Sequence, residues 1–245
     1  MTADPATVEV IRHYLVSAAT EMERTLVRAA YSTIIYEIND YGLSIFDRHF
    51  NLLADSTGLP LFLGANEYAI RQTFEKGEFD KLEPGDVIFM NNPYWSGAHT
   101  NDGVLISPVF ADNKLVAYTV VRAHWTDLGG KDPGYILDST SVHQEGIMIP
   151  GVKIVRRGEY NKDILAVLCA NSRAPATIMG DFNAEVAALR VGVERVAELY
   201  QKYESATVEA SISQILKVGE KQARAAILDL PDGEWEAEDW MDNDG

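Results

Sequence analysis

The chain has 245 residues, 47% of them hydrophobic, so it can bury a sizeable core as one large or two small domains. Its 37 acidic and 21 basic residues give a formal net charge of −16, which argues against nucleic acid or an anionic membrane as a partner. No apolar run approaches the roughly 18 residues of a membrane span, and no signal-like segment opens the chain, so we expect a soluble, cytoplasmic protein.

The first predicted element is a long amphipathic helix. It begins after Asp4 and Pro5, where an N-cap residue precedes a proline at the first helical position. Apolar residues then recur at steps of three and four: Val8, Ile11, Leu15, Ala18, Met22, Leu26 and Ala29. Three further elements are predicted before residue 91: a hairpin of residues 43–47 and 51–55, a helix over 65–76 and a strand over 87–90.

The next stretch carries a candidate metal site. Two β-rich runs, residues 103–110 and 115–123, are joined by Ala-Asp-Asn-Lys and predict a second hairpin, because Asp and Asn suit a tight turn. A hairpin folds its ends together, so Asp102 at its start should lie beside His124 at its end. His99 precedes Asp102 by three residues. Two imidazoles and a carboxylate suit a divalent metal, although the H-x-x-D spacing alone is a weak signal that is also typical of a capping or solvent-facing histidine.

Three more polar residues follow this hairpin. Asp127, just before a Gly-Gly pair, suits a carboxylate that orients a ligand imidazole, or a loop that approaches substrate closely. His143 and Glu145 lie near the edge of a strand expected over residues 147–150. For this pair, an ordinary surface loop is the alternative interpretation.

The remainder of the chain is predicted to be mainly helical. The elements expected are a strand over 152–156, a buried helix or strand over 163–169, a packed helix with an apolar stripe from Met179 to Tyr203, and a helix over 208–228. Cys169, the single cysteine, lies in an apolar run; we expect it to be a buried small hydrophobe, and no internal disulfide is possible. Alternating polar and apolar residues over 234–240 predict an edge strand that pairs with this chain's sheet, with another polypeptide, or with a continuation of the chain.

Together these elements predict an α+β protein. Mixed or antiparallel β-hairpins would carry the metal site, with long packed helices in the C-terminal part. We expect a metal-site region over residues 1–172 and a helical region over 173–245 that ends in the edge strand, forming one continuous domain completed by another chain or by a missing C-terminal half. The sequence has no phosphate-binding loop and no dinucleotide fingerprint, so any nucleotide would have to be bound by another chain.

An ordered set of motifs resembles the hydantoinase B/oxoprolinase family. They are Asp40-Tyr41-Gly42-Leu43, Leu61-Phe62-Leu63-Gly64, Pro84-Gly85-Asp86-Val87, Asn92-Pro93-Tyr94 with His99 and Asp102, Ala123-His124-Trp125, Gln144-Glu145-Gly146, and Arg173-Ala174-Pro175 with Gly180-Asp181. The resemblance implies a metal-dependent B-type subunit of an ATP-dependent cyclic-amide hydrolase that acts on a small molecule. It also implies a zinc, manganese or iron ion, an A-type partner that binds ATP-Mg, and, since typical members continue past residue 245, a chain supplying the C-terminal half. A split subunit is the preferred interpretation, and a fragment is the other.

The resemblance also implies roles for individual residues. The implied metal ligands are His99, Asp102 and His124, with Asp40 as an additional ligand. The implied catalytic candidates, for proton transfer or support of the ligands, are Glu145, Asp127 and His143.

Two departures and two alternatives remain. Asn92 stands where the family usually has Asp, and Ala98 where it usually has Thr, which leaves the substrate open. One alternative function is a subunit of an acetone- or acetophenone-type ketone carboxylase. The other is a non-catalytic scaffold, which three convergent ligands argue against because a scaffold has no physical need for them.

Overall fold

The computed structural model describes residues 3–56 and 58–240. The helices are α1 (Pro5–Ala29), α2 (Thr33–Tyr36), α3 (Phe62–Lys76), α4 (Pro93–Ser96), α5 (Lys162–Asn171), α6 (Pro175–Lys202) and α7 (Ser205–Leu228). The strands are β1 (Tyr41–Asp47), β2 (Leu52–Asp55), β3 (Val87–Met90), β4 (Asp102–Ala111), β5 (Lys114–His124), β6 (Pro150–Arg156) and β7 (Glu159–Tyr160). Among the described helices, none combines the length and the apolar character needed to cross a membrane.

The seven strands form one sheet in the order β2-β1-β5-β4-β3-β6-β7. Every pairing is antiparallel, so the predicted α+β fold is confirmed and, of the two sheet types considered, the antiparallel one is present. The two predicted hairpins are β1–β2 and β4–β5. Because β5 lies between β1 and β4, the ends of these three strands are neighbours in space.

Two long helices, α1 and α6, pack on one face of the sheet. Leu15 of α1 and Phe182 of α6 are buried in this larger core, and burying a side chain of this size contributes about 1.5–3 kcal/mol. The helices approach closely at Gly192, where a Cβ would lie 2.4 Å from the sulfur of Met22 and 2.7 Å from Cγ2 of Thr119. Gly192 therefore lets α6 contact both α1 and β5.

The opposite face carries a smaller core beneath α3. Ile70 of α3 packs there with Val104 of β4 and Val120 of β5. Side chains alternate between the two faces along a strand. Asp102, Arg122 and His124 therefore belong to the α3 face, two or four residues from those valines.

The predicted boundaries of helices α1, α3 and α7 agree with the structure to within a few residues. The Asp4 side chain caps α1 by accepting hydrogen bonds from the backbone N–H groups of Ala6 and Thr7, at 3.3 and 2.9 Å. Helix α7 covers the helix predicted over residues 208–228. Helix α3 begins three residues before the predicted start, at Phe62.

The strand predicted over residues 234–240 does not form within the described chain, and its pairing with another polypeptide or with a continuation of the chain stays a prediction. These residues have no regular secondary structure and are exposed, and none of the described strands pairs with them. An alternating pattern becomes a strand only where a neighbouring strand completes its backbone hydrogen bonds. The turn expected after this segment falls on residues 241–245, which lie outside the described residues.

Two smaller expectations also change. Residues 147–149 form a loop, because Ile147 donates its N–H to Leu128 O and Ile149 donates its N–H to the Asn91 side chain. Cys169 is only half-buried, since the half-exposed helix α5 buries Leu165 and Leu168 instead. The division at residue 172 stays a prediction.

Candidate metal centre

The candidate centre lies at the shared end of β1, β5 and β4. Asp102 and His124 are register partners that face each other across the β4–β5 hairpin. The tight turn at its far end places Asp112 and Asn113 at φ of 48° and 58°, the left-handed region that these residue types tolerate. Asp40 immediately precedes β1, and its carbonyl accepts the His124 N–H at 3.1 Å. The convergence predicted from hairpin geometry is therefore confirmed.

His99 completes the cluster from the loop after α4. Its Nε2 lies 3.6 Å from Oδ1 of Asp102, and the same oxygen lies 3.2 Å from Nδ1 of His124. All three ligand atoms lie within 4.8 Å of one another. Asp102 and His124 are buried, whereas the side chain of His99 is 45% exposed, so the cluster is open to solvent on the His99 side.

These spacings suit a metal ion. Metal–ligand bonds of about 2.0–2.2 Å put neighbouring ligand atoms about 2.8–3.6 Å apart, the lower end for octahedral and the upper end for tetrahedral geometry. The separations of 3.2 and 3.6 Å at Asp102 Oδ1 fall in this range. Both donor types, imidazole and carboxylate, are ones that zinc, manganese and iron accept. The residues present therefore fit the implied metal.

Asp40 lies beside the cluster rather than within it. Its Oδ2 is 3.8 Å from His124 Nδ1 and accepts a 2.7 Å hydrogen bond from the Tyr135 hydroxyl. Its Oδ1 is buried and has no hydrogen-bond partner in the described part of the chain. An unpaired buried carboxylate oxygen is costly unless something binds it. Asp40 as an additional ligand stays a prediction that this oxygen supports.

Tyr135 is a residue of the site that the sequence analysis did not single out. Its ring centroid lies 4.4 Å from that of His124 and 6.5 Å from that of His99. Burial raises the pKa of Tyr135, and the hydrogen bond to Asp40 raises it further, so the hydroxyl keeps its proton. The preceding carbonyl, Gly134 O, lies 3.4 Å from His124 Nε2. A Pro-Gly-Tyr turn in an irregular segment was the available signal, but no local pattern shows where such a loop folds back.

Asp127 holds the loop after β5 to the start of α6. It is buried and accepts hydrogen bonds from the N–H of Gly129 at 3.0 Å and from the N–H of Arg173 at 2.7 Å, and the Arg173 guanidinium lies 3.2 Å away. No hydrogen bond in the described residues joins it to an imidazole. Its predicted role in orienting a histidine or moving a proton stays a prediction.

Glu145 and His143 lie on a neighbouring loop. His143 is exposed within a 3₁₀ turn, and Glu145 accepts a 2.7 Å hydrogen bond from the Ser139 hydroxyl. This loop packs on the segment after Asp127, where a Cβ on Gly130 would lie 2.8 Å from Glu145 O. The structure brings neither side chain into the cluster of three, and the roles predicted for them stay predictions.

Several known proteins resemble this chain in sequence. The family model described as hydantoinase B/oxoprolinase matches residues 4–245. The B-type subunit of a putative D-/L-hydantoinase from Pseudomonas sp. (strain NS671) is 36% identical over 98% of this chain and 41% of its own length. The beta chain of the caprolactamase from Pseudomonas jessenii is 35% identical over 95% of this chain and 40% of its own length. The chain thus spans about two fifths of the length of these two relatives.

Two solved structures share the fold. The crystal structure of ATP-dependent caprolactamase from Pseudomonas jessenii matches with a TM-score of 0.88 at 34% identity, over 95% of this chain and 40% of that one. The nucleotide-free structure of acetone carboxylase matches with a TM-score of 0.79 at 18% identity, over 85% of this chain and 28% of that one. At that identity, the second match concerns the fold alone.

Proposed function

The chain belongs to the hydantoinase B/oxoprolinase family, and on that premise we propose that it is the metal-binding part of a B-type subunit in an ATP-dependent hydrolase of small cyclic amides. The observation that carries this proposal is the convergence of His99, Asp102 and His124 at one end of the sheet. The names of the relatives, hydantoinase and caprolactamase, supply the substrate class. A chain kept only as a scaffold would have no reason to bury an aspartate against a histidine beside a second histidine.

The roles of the residues follow from their burial. Asp102 and His124 are fixed by strand pairing, and His99 lies on the exposed side, where substrate would approach. A bound zinc, manganese or iron ion would supply a Lewis acid for the amide carbonyl and would lower the pKa of a bound water. The Tyr135 hydroxyl, which donates to Asp40, holds that carboxylate beside His124.

Side chains on the loops near the centre are candidates for moving protons during hydrolysis. We propose Glu145, with His143 and Asp127 as alternatives or supporting groups. Substituting Glu145→Gln should lower turnover and leave the metal content unchanged. Loss of metal in this variant would instead make Glu145 a ligand and contradict the assignment.

Partner subunits complete the proposal. An A-type partner would bind ATP-Mg and activate the substrate. The part of the fold beyond the two fifths that this chain matches would come from a further polypeptide or from a continuation of this chain. Neither a nucleic acid nor a membrane is proposed as a partner, in keeping with the net charge of −16.

Metal binding can be tested with matched histidine variants. After chelation, the chain is titrated with Zn²⁺, Mn²⁺ or Fe²⁺ by isothermal calorimetry, and the ions retained after dialysis are counted by mass spectrometry. We expect one ion per chain in the wild type and in His49→Gln, since His49 is exposed in the β1–β2 turn. His124→Gln and Asp102→Asn should each abolish stoichiometric binding. Equal binding by the His124 and His49 variants would refute the centre.

The reaction can be tested in the assembled complex. The chain would be combined with the C-terminal polypeptide and an A-type partner, then supplied with ATP and either a hydantoin-type lactam or an aryl ketone plus bicarbonate. ATP-dependent ring opening would support the proposal. Carboxylation of the ketone would favour the alternative, which rests on a fold-level match at 18% identity, and a metal-loaded complex inactive on both would favour the scaffold.

A further inference from the structure

Arg122 is a buried arginine beside the candidate centre. It lies two residues before His124 on β5, so both side chains belong to the same face of the sheet. Its relative exposure is 0%. Arginine is almost never fully buried unless its charge is paired, so its burial here calls for a specific role.

The contacts of Arg122 join three separate elements. Its Nη2 donates to the carbonyl of Ser96 at 2.7 Å and to the carbonyl of Ala65 at 3.3 Å. Its guanidinium carbon lies 4.9 Å from the ring centroid of Phe62, within the range of a cation–π contact. Ala65 and Phe62 lie in the first turn of α3, and Ser96 ends α4. Arg122 therefore ties β5 to the ends of two helices.

The contact with Ser96 bears on His99. Ser96 is fully buried, and the chain leaves α4 through Gly97 in a left-handed conformation, at φ 69°. His99 follows only two residues later. The Ser96 carbonyl thus ties the chain to β5 three residues before the ligand that lies on the exposed side of the cluster.

The charge of Arg122 bears on Asp102. Arg122 faces Val104 across the β4–β5 hairpin, so Asp102, two residues earlier on the same face, is its diagonal neighbour, and the carboxylate interacts electrostatically with the guanidinium. Within the described residues, Nε and Nη1 of Arg122 have no hydrogen-bond partner, so the cation is not neutralised by a direct pair. A buried positive charge beside Asp102 offsets the negative charge that this carboxylate brings to the cluster.

We infer that Arg122 is a positioning residue for the candidate centre, which anchors the Ser96 carbonyl at the base of the His99 loop and places a positive charge toward Asp102. This role rests on the proposed function only where metal is concerned. The anchoring of the loop is a property of the chain alone. The two parts can therefore be measured separately.

The experiment compares Arg122→Met with Arg71→Met. Arg71 of α3 is the control because it also donates to two carbonyls, Phe50 O at 3.0 Å and His49 O at 3.4 Å, and lies 5.9 Å from the Phe50 ring, but its acceptors are in the β1–β2 turn. It differs from Arg122 in being half-exposed and paired with Glu67. Amide hydrogen exchange is measured on the chelated proteins, and Zn²⁺ affinity by calorimetry. Arg122→Met should speed exchange over residues 97–103 about ten- to hundredfold, as expected for a lost charge-assisted hydrogen bond. Arg71→Met should leave this segment unchanged.

The affinity arm has its own expectation. Arg122→Met should weaken Zn²⁺ binding about 10- to 100-fold, the usual effect of losing a residue that supports metal ligands, and Arg71→Met should not. Arg122→Lys keeps the charge but not the planar fork, so it should give intermediate values in both arms. This variant decides the matter if Arg122→Met does not fold.

The outcomes separate the inference from the proposed function. If the wild type binds no metal, the proposed function fails, yet the exchange comparison still decides whether Arg122 anchors the loop. Unchanged exchange over residues 97–103 in Arg122→Met, or in Arg122→Lys if the former is unfolded, would overturn the inference. So would exchange that rises equally across the whole sheet, since that would indicate a general loss of stability.

Discussion

Substituting Lys153→Met should sharply destabilise the fold without affecting the candidate centre. Lys153 of β6 and Asp86, which precedes β3, form a buried ion pair at 2.8 Å, with side chains only 4% and 1% exposed. Lys153 also donates to Lys81 O at 2.8 Å. Burial alone would raise the pKa of Asp86, but the hydrogen bonds from Lys153 and from two backbone N–H groups lower it below its ordinary value. The pair is thus well satisfied, and removing Lys153 leaves a buried carboxylate without its counter-charge.

The magnitude follows from burial. Breaking one side of a buried ion pair costs about 3–5 kcal/mol. In a chain of 245 residues, each kcal/mol lowers the melting temperature by about 2–4 °C. Lys153→Met should therefore lower it by about 6–20 °C. Arg156→Met is the control on the same strand, since Arg156 and Asp80 pair at 3.5 Å with 54% and 84% exposure, and its effect should stay within about 4 °C.

The assay is thermal unfolding followed by circular dichroism, with Zn²⁺ calorimetry on the folded variants. Asp86 lies at the opposite end of β3 from Asn91, which leads to the centre, so affinity should not change in either variant. Equal melting temperatures for Lys153→Met and Arg156→Met would refute the reasoning from burial. A loss of Zn²⁺ affinity in Lys153→Met alone would refute the expectation that this ion pair does not affect the candidate centre at the other end of β3.

Three further changes have defined outcomes. Burial and the neighbouring Asp181 carboxylate raise the pKa of Glu185 well above 4.5, so the folded state keeps a proton that the unfolded state releases. The free energy of unfolding, measured in urea, should therefore fall as pH rises above about 4.5, and Glu185→Gln should reduce this slope. Gly192→Ala forces a Cβ to 2.4 Å from Met22 and should cost about 1–3 kcal/mol in the same assay, with no cost contradicting the packing. Asn91 donates to Thr100 O and Ile147 O, each at 2.8 Å. Asn91→Ala should cost about 2–5 kcal/mol of stability and weaken Zn²⁺ binding in calorimetry, because the loop before Asp102 loses its hydrogen bond at Thr100. Unchanged binding would contradict this.

The cluster could be predicted because its geometry is local to one hairpin. A tight turn at Asp112 and Asn113 brings Asp102 to the end of β5, and the one-residue shift in the pairing beside Val109 then sets it opposite His124. His99 is three residues away from this pair, so chain connectivity keeps it near. Local sequence was therefore sufficient for three converging side chains.

The rest of the site depends on contacts between distant segments. Tyr135 reaches Asp40 across 95 residues, and Arg173 reaches Asp127 across 46. Contacts over such distances along the chain leave no periodic pattern in the sequence, so they could not be predicted from it. Residues 234–240 form no strand within the described chain for the related reason that a strand is defined by its neighbour as well as by its own alternation.

The register of the β4–β5 hairpin limits how this chain can vary in length during evolution. A one-residue insertion or deletion between the turn and either ligand would move that ligand to the opposite face of the sheet. The turn itself lies eight or more residues from Asp102 and His124, and an irregularity in the pairing beside Val109 already absorbs one extra residue there. Gains and losses of length should therefore accumulate at the turn. Along either strand, insertions or deletions should occur only two residues at a time, so that both ligands stay on the α3 face.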